Sequence, residues 1–113
     1  MKSLVAVTIG DIEGIGIHLL IREFKKKNIS NFIIVSNYNI LKRKLSPLYN
    51  VKLFNKLDNL NQIKNYKKNK INILNIVTKN KHTNTLDSLR DAYNYTKKNK
   101  FVKHLSLFES VQI

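Results

Sequence analysis

The sequence predicts an α/β protein, a three-layer sandwich with a mainly parallel sheet between helices. Three observations lead there. Residues 4–9 (LVAVTI) and 32–36 (FIIVS) are short, continuous apolar runs of the kind that strands buried on both faces use. Segments of helical period follow each run, so strand and helix alternate along the chain. The first joint between them, TIGDIEGIGIH, is rich in glycine, which suits a sharp change from strand to helix.

The elements follow in order. After the strand at 4–9, Ile17, Leu20, Ile21 and Phe24 fall at i, i+3, i+4 and i+7, with His18, Arg22, Lys25 and Lys26 on the opposite face of a helix. Lys25–Lys27 and Asn28 form its stop signal. FIIVS is the second strand. Asn37 then caps a short helix carrying Tyr38, Leu41 and Leu45, closed by Ser46-Pro47. VKLF (51–54) is a third strand, and Leu57, Leu60 and Ile63 stand at helical spacing within the Asn/Lys-rich stretch 55–70. INILNIV (71–77) alternates and predicts an edge or outer strand. In the last helix Asn84 or Thr85 is the cap, Asp87 and Asp91 occupy the first turns, and Leu86, Leu89, Ala92 and Tyr93 form the apolar stripe. Lys97-Lys98 close it. No internal repeat is present, and residues 1–113 read as a single α/β domain or domain fragment.

Composition narrows the function classes. The chain has no cysteine, which excludes disulfides, thiolate zinc sites and cysteine nucleophiles. It has no run of about 20 apolar residues to span a membrane, and LVAVTIG is too short for a secretory signal, so a cytoplasmic location is expected. The formal net charge of +14 would ordinarily suggest nucleic acid. Eighteen of the 21 basic residues are lysines, however, and the chain also holds 16 asparagines and 14 isoleucines. These three amino acids share A/T-rich codons, so a genomic bias enriches all of them without selection for binding. Arginine, the better phosphate and base reader, occurs three times. On composition alone a nucleic-acid binder is therefore the weaker reading.

The glycine turn has the spacing Gly10-x3-Gly14-x-Gly16. That is neither the dinucleotide fingerprint nor the P-loop, and no Lys-Ser/Thr follows it. The end of the second strand, VSNYN, lacks the carboxylate that a dinucleotide fold places there. Two readings stay open. Gly10, Asp11, Gly14 and Gly16 form an anion-binding turn at the edge of a site, where amides at the helix start meet the ligand. Alternatively the glycines only turn the chain and Asp11 accepts hydrogen bonds from loop amides.

VAVTIGDIEGIGIHLLIREF resembles the amino-terminal signature of the 4-hydroxythreonine-4-phosphate dehydrogenases, which reads I-A-[IV]-T-x-G-D-P-A-G-I-G-P-E. Ala6, Thr8, Gly10, Asp11, Gly14, Ile15 and Gly16 match. NFIIVSNYNIL is similar to the family's second strand and following helix, and TNTLDSLRDAYNYTKKNKF to a later helix. Ile12 and Ile17 stand where the family has prolines, Glu13 where it has alanine and His18 where it has glutamate. Loss of the prolines loosens the turn. After the later helix the family continues into a strand and a Thr-Ala-Pro turn, whereas this chain reads FVKHLSLFESVQI; a truncated or frameshifted copy is expected.

The resemblance implies an isocitrate/isopropylmalate dehydrogenase-like fold, here incomplete. It also implies an oxidoreductase of pyridoxine biosynthesis, in which NAD or NADP accepts hydride from a phosphorylated hydroxy-amino acid that is then decarboxylated. The family acts as a homodimer and holds a divalent metal through three histidines, which polarises the substrate oxygen. Those histidines and the substrate residues match nothing in these 113 positions. The expectation is an inactive amino-terminal fragment that binds neither metal nor cofactor by itself, with no catalytic or metal-ligating residue to name. A sheet short of strands is also expected to be marginally stable or to self-associate. His18, His82 and His104 are isolated from one another and from carboxylates at ligand spacing, and Asp87 and Asp91 are better placed as dipole partners than as an acid/base pair. The alternatives are a non-catalytic phosphate- or anion-binding α/β module and, behind it, a basic nucleic-acid binder.

Overall fold

The computed structural model describes residues 4–9, 16–78, 87, 90, 91 and 94, and the backbone of 103–107. Five strands form one sheet: β1 (Val5–Ile9), β2 (Phe32–Ser36), β3 (Phe54–Leu57), β4 (Ile71–Asn75) and β5 (Lys103–Leu107), in the order β3-β4-β2-β1-β5. All four pairings are parallel, with Val5 opposite Phe32, Ile34 opposite Ile73, Asn55 opposite Asn72, and Val5 opposite Lys103. The α/β class and the parallel sheet are as the sequence predicts.

Chain direction explains which face each connection covers. The chain steps from β1 to β2 and on to β3 in one direction across the sheet, then turns back to β4. Right-handed crossovers therefore put the first two connections on one face and the third on the other. The core divides accordingly. Helix α1 (Gly16–Lys25) and helix α2 (Tyr38–Leu45) bring Ile17, Ile21, Leu41 and Leu45 onto Val7, Ile34, Phe54 and Ile73. On the other face Leu60, Ile63 and Tyr66 pack against Ala6, Ile33, Val35, Leu57 and Leu74. Both faces of β2 are thus covered, and all five of its residues are buried.

Local chemistry sets the element ends. Helix α1 stops in a Schellman arrangement: Asn28 N–H donates to Glu23 O and Lys27 N–H to Phe24 O, both at 2.9 Å. Lys27 occupies the left-handed position, φ 63°, where glycine is usual, and its Cβ costs roughly 1–2 kcal/mol there. Asn37 caps α2 as predicted, its side chain accepting from Ile40 N–H at 3.1 Å. Arg22 and Lys25, and then Lys42, Arg43 and Lys44, lie in the last turns, where they favour the helix dipole.

Three elements differ from the sequence expectation. Residues Val51–Leu53 form a 3-10 turn capped by Asn50, and the strand begins at Phe54. Leu57 belongs to that strand, while Leu60 and Ile63 lie on a second 3-10 segment, Leu60–Asn65. The alternating stretch at 71–77 is not an outer strand: β4 lies between β2 and β3. The polar residue responsible for the misreading, Asn72, is fully buried and fully engaged. Its Oδ1 accepts from Asn55 Nδ2 at 2.7 Å and from Lys67 N–H at 2.9 Å, and its Nδ2 donates to Lys67 O at 2.8 Å and Lys70 O at 3.0 Å. The last helix lies mostly outside the described residues, including Leu86, Leu89, Ala92 and Tyr93; Asp87, Arg90, Asp91 and Asn94 have helical backbone.

Replacing Asn72 with leucine removes four part-buried hydrogen bonds and leaves their partners on Asn55, Lys67 and Lys70 unmatched beside an apolar side chain. The expected loss is about 2–3 kcal/mol, read as a lower urea midpoint with an unchanged m-value. A midpoint within error of the parent would show that the turn at 66–70 does not depend on this side chain.

Candidate functional site

In an open parallel sheet the ligand crevice lies beyond the carboxyl ends of the strands, where the strand order reverses. Here the reversal falls at β1: the chain leaves it toward β2 on one side and returns to place β5 on the other. Thr8, next to last in β1, is buried and hydrogen-bonded. Gly16 is the first residue of α1. Gly10, Asp11 and Gly14, which join the two elements, lie outside the described residues.

Beside this point the carboxyl ends of β2 and β4 are stitched together. Asn37 Nδ2 donates to Ile76 O at 2.9 Å, and Tyr38 N–H donates to Asn75 Oδ1 at 2.8 Å. Lys42 and Lys56 lie over the Tyr38 ring, 5.9 and 5.3 Å from its centre, and Lys56 pairs with Asp58 at 3.4 Å. Asn37 is therefore both helix cap and inter-strand clamp, and VSNYN supports the edge without a ribose-binding carboxylate.

The histidines do not assemble. His18 Nδ1 is hydrogen-bonded to the Tyr49 hydroxyl at 2.8 Å, with the rings stacked 5.8 Å apart at 27°. The sequence offers no signal for this pair, since 31 positions separate its members and only the packing of α1 beside the α2–β3 connection joins them. His82 lies outside the described residues, and His104 is in β5, on the far side of β1 from β2. Among the described residues no three of His, Cys, Asp and Glu come together as metal ligands, so these residues do not fit the divalent metal that the resemblance implies. Among the described residues, too, no helix is long and apolar enough to cross a membrane.

Two clefts flank the end of α1. One, about 650 Å³, is lined by His18, Leu19, Arg22, Lys25, Lys26 and Tyr49 among others. The second, about 660 Å³, has Phe24, Ile29 and Leu53 on its apolar side and Lys25, Lys27 and Lys68 around them. The first runs along α1 from His18 and past its end to Lys26, and the second lies beside the last turn of the helix.

Asp87 and Asp91 are bridged by Arg90, which contacts Asp87 at 3.0 Å and Asp91 at 3.8 Å. Desolvation raises the Asp91 pKa above its ordinary 3.8; Arg90 opposes this and the Asp87 charge adds to it. No family model, curated protein or solved structure matches the chain.

The raised Asp91 pKa fixes a sign. The folded state holds the proton more tightly than the unfolded chain, so this contribution to stability is complete below pH 3.8 and is lost as pH rises through the higher folded value. Asp91→Asn is accordingly expected to raise Tm slightly at pH 7, with the advantage shrinking to nothing toward pH 3.5. An advantage that grows on acidification would contradict this assignment.

Proposed function

We propose that this chain supplies the first strand, glycine turn and helix of an oxidoreductase of the 4-hydroxythreonine-4-phosphate dehydrogenase type, on an isocitrate dehydrogenase-like fold, and is inactive by itself. One observation supports this above the others. The signature Thr8-x-Gly10-Asp11 to Gly16 runs off the strand at which the sheet order reverses and ends on the first residue of α1. In this reading the turn frames one wall of a site for a phosphorylated hydroxy-amino acid. NAD or NADP and a divalent metal would be bound in the homodimeric enzyme by residues other than those described here. What this chain's residues contribute is position: the buried β1 and the Ile17 and Ile21 contacts fix where the turn leaves the sheet.

Reading the gene beyond the Ile113 codon in all three frames tests the assignment. A continuation carrying the metal-binding histidines is expected, and its absence would overturn the assignment. With NAD+, a divalent metal and 4-phosphohydroxy-threonine, the purified chain is expected to form no NADH at 340 nm. Turnover would refute the claim that it is inactive alone.

A second reading, a non-catalytic phosphate-binding module, is favoured by the first turn of α1, which carries no acidic side chain. A phosphate at those amides meets the positive end of the helix without a competing carboxylate from the same turn. Inorganic phosphate at ten times its Kd should then stabilise the chain by about 1.4 kcal/mol, raising Tm by roughly 5 °C. Gly14→Ala should abolish the shift. If phosphate leaves Tm unchanged, this module reading fails while the dehydrogenase assignment stands.

A further inference from the structure

We propose that the amino-terminal edge of the sheet is a binding surface for the phosphate backbone of single-stranded nucleic acid, with the cleft between Lys25, Lys27 and Lys68 at its centre. The proposal is independent of the dehydrogenase assignment, which concerns the opposite edge.

Topology shows a charge asymmetry that the linear sequence conceals. Three described connections enter strands at the amino edge: residues 25–31, 46–53 and 66–70. They carry Lys25, Lys26 and Lys27, then Lys52, then Lys67, Lys68 and Lys70, and no Asp or Glu. The described residues at the carboxyl ends of β2, β3 and β4 are 36–40, 57–61 and 75–78. They hold Asp58 and no Lys or Arg; Lys79 and Lys81, next along the chain, lie outside the described residues. Codon bias is blind to which end of a strand a residue follows. The helix dipole favours Lys25 at the end of α1, but Lys52, Lys67, Lys68 and Lys70 end no α-helix.

The lysines also converge. Lys25 and Lys27 come from the end of α1 and Lys68 from the turn before β4, yet all three line one cleft of about 660 Å³. None is paired to a carboxylate among the described residues. Glu23, the acidic residue of α1, is engaged by Arg22 at 3.7 Å and by Asn28 Nδ2 at 2.8 Å. Lys25 belongs to the neighbouring cleft as well, which adds Arg22 and Lys26, so the two form one basic tract. Unpaired cations held close together repel one another, and a polyanion relieves that repulsion while releasing its own counterions.

The cleft's chemistry selects the occupant. Phe24, Ile29 and Leu53 line it together with the lysines. A single strand suits that mixture, because its phosphates meet the ammonium groups while its unpaired bases have an aromatic ring and apolar side chains to lie against, which a duplex keeps its bases from doing. Lysine contacts phosphate as a point charge and lacks the bidentate fork that reads guanine, so binding without base preference follows.

Fluorescence anisotropy of the purified chain with a fluorescein-labelled 12-mer of thymidylate, between 50 and 200 mM KCl, tests the proposal. Three phosphate contacts predict a log Kd–log salt dependence of magnitude roughly 2, at about 0.7 per contact. Lys25→Glu/Lys68→Glu should weaken binding at least tenfold at 50 mM and reduce the dependence to below 1. Lys42→Glu/Lys56→Glu changes net charge equally at the Tyr38 site and should cost less than threefold. Circular dichroism checks that both variants fold, and Lys25→Gln/Lys68→Gln replaces the first if it does not. Equal losses in the two variants, or no salt-dependent binding by the parent, would overturn the proposal. So would tighter binding to phosphatidylserine/phosphatidylcholine vesicles that depends on Lys25 and Lys68, which would make the edge a membrane surface.

Discussion

The carboxamide of Asn72 is the constraint on which this half of the fold rests. It sits in an interior strand, on the face covered by the 3-10 segment, in a place where the apolar pattern of β4 calls for another isoleucine. All four of its hydrogen bonds are made within the chain, so burying it carries no unmatched polar group. Two partners are backbone atoms of Lys67, a third is Lys70 O, and the fourth is Asn55 of β3, whose Nδ2 also reaches Asn65 O at 3.1 Å. One side chain thereby fixes the pairing of β3 with β4 and the turn between them. The same turn carries Lys67, Lys68 and Lys70. That part of the basic edge is thus set from inside the sheet, by a neutral residue that bonds Lys67 and Lys70 at their backbone atoms.

A second constraint acts on the whole sheet. Because parallel strands need crossovers of one hand, a reversal of direction across the sheet moves the connection to the other face. The reversal at β3 lets the short segment Leu60–Asn65 cover Leu57 and Leu74 while α1 and α2 share the opposite face. It also makes β1 the strand flanked by outgoing and returning chain. Two different surfaces follow among the described residues: a carboxyl edge rich in asparagine, and an amino edge where helix ends and strand entries gather the lysines.

The sequence made legible those elements whose determinants are local. Strands β1 and β2 announce themselves as continuous apolar runs, α1 by its i, i+3, i+4, i+7 stripe, and α2 by the Asn37 cap that closes on Ile40. The rest depended on partners distant in the chain. Asn72 and Asn75 mimic the polar half of an exposed strand, and only Lys67, Lys70 and Tyr38, brought in by the fold, show why they are not exposed. Leu57 keeps helical spacing with Leu60 and Ile63, but it is buried in a strand beside Leu74 while the other two sit on the cover above. Strand β5, KHLSL, has little to mark it beyond weak alternation, and its place beside β1 is a property of the sheet. At the candidate site Gly10, Asp11 and Gly14 lie outside the described residues, and the Tyr49 partner of His18 had no signal in the sequence.

The lysine content shows how a compositional bias and a binding surface can coexist. A/T-rich codons explain why the chain's cations are lysines and why asparagine is so abundant, and asparagine in turn supplies the caps at Asn37, Asn50 and Asn59 and the buried clamp at Asn72. What bias does not set is position. At the carboxyl end of β2 the Asn37–Ile76 clamp and the Tyr38–Asn75 bond call for compact amides at positions 37 and 75, and Lys42 and Lys56 reach that edge from α2 and β3, over the Tyr38 ring. At the amino edge no comparable bond excludes lysine, and the open clefts beside α1 accept long side chains with their charges in water. Polar packing at one edge and free space at the other are enough to bias where the described connections carry lysine. A polyanion arriving at that edge would meet a field created by where the asparagines have to be.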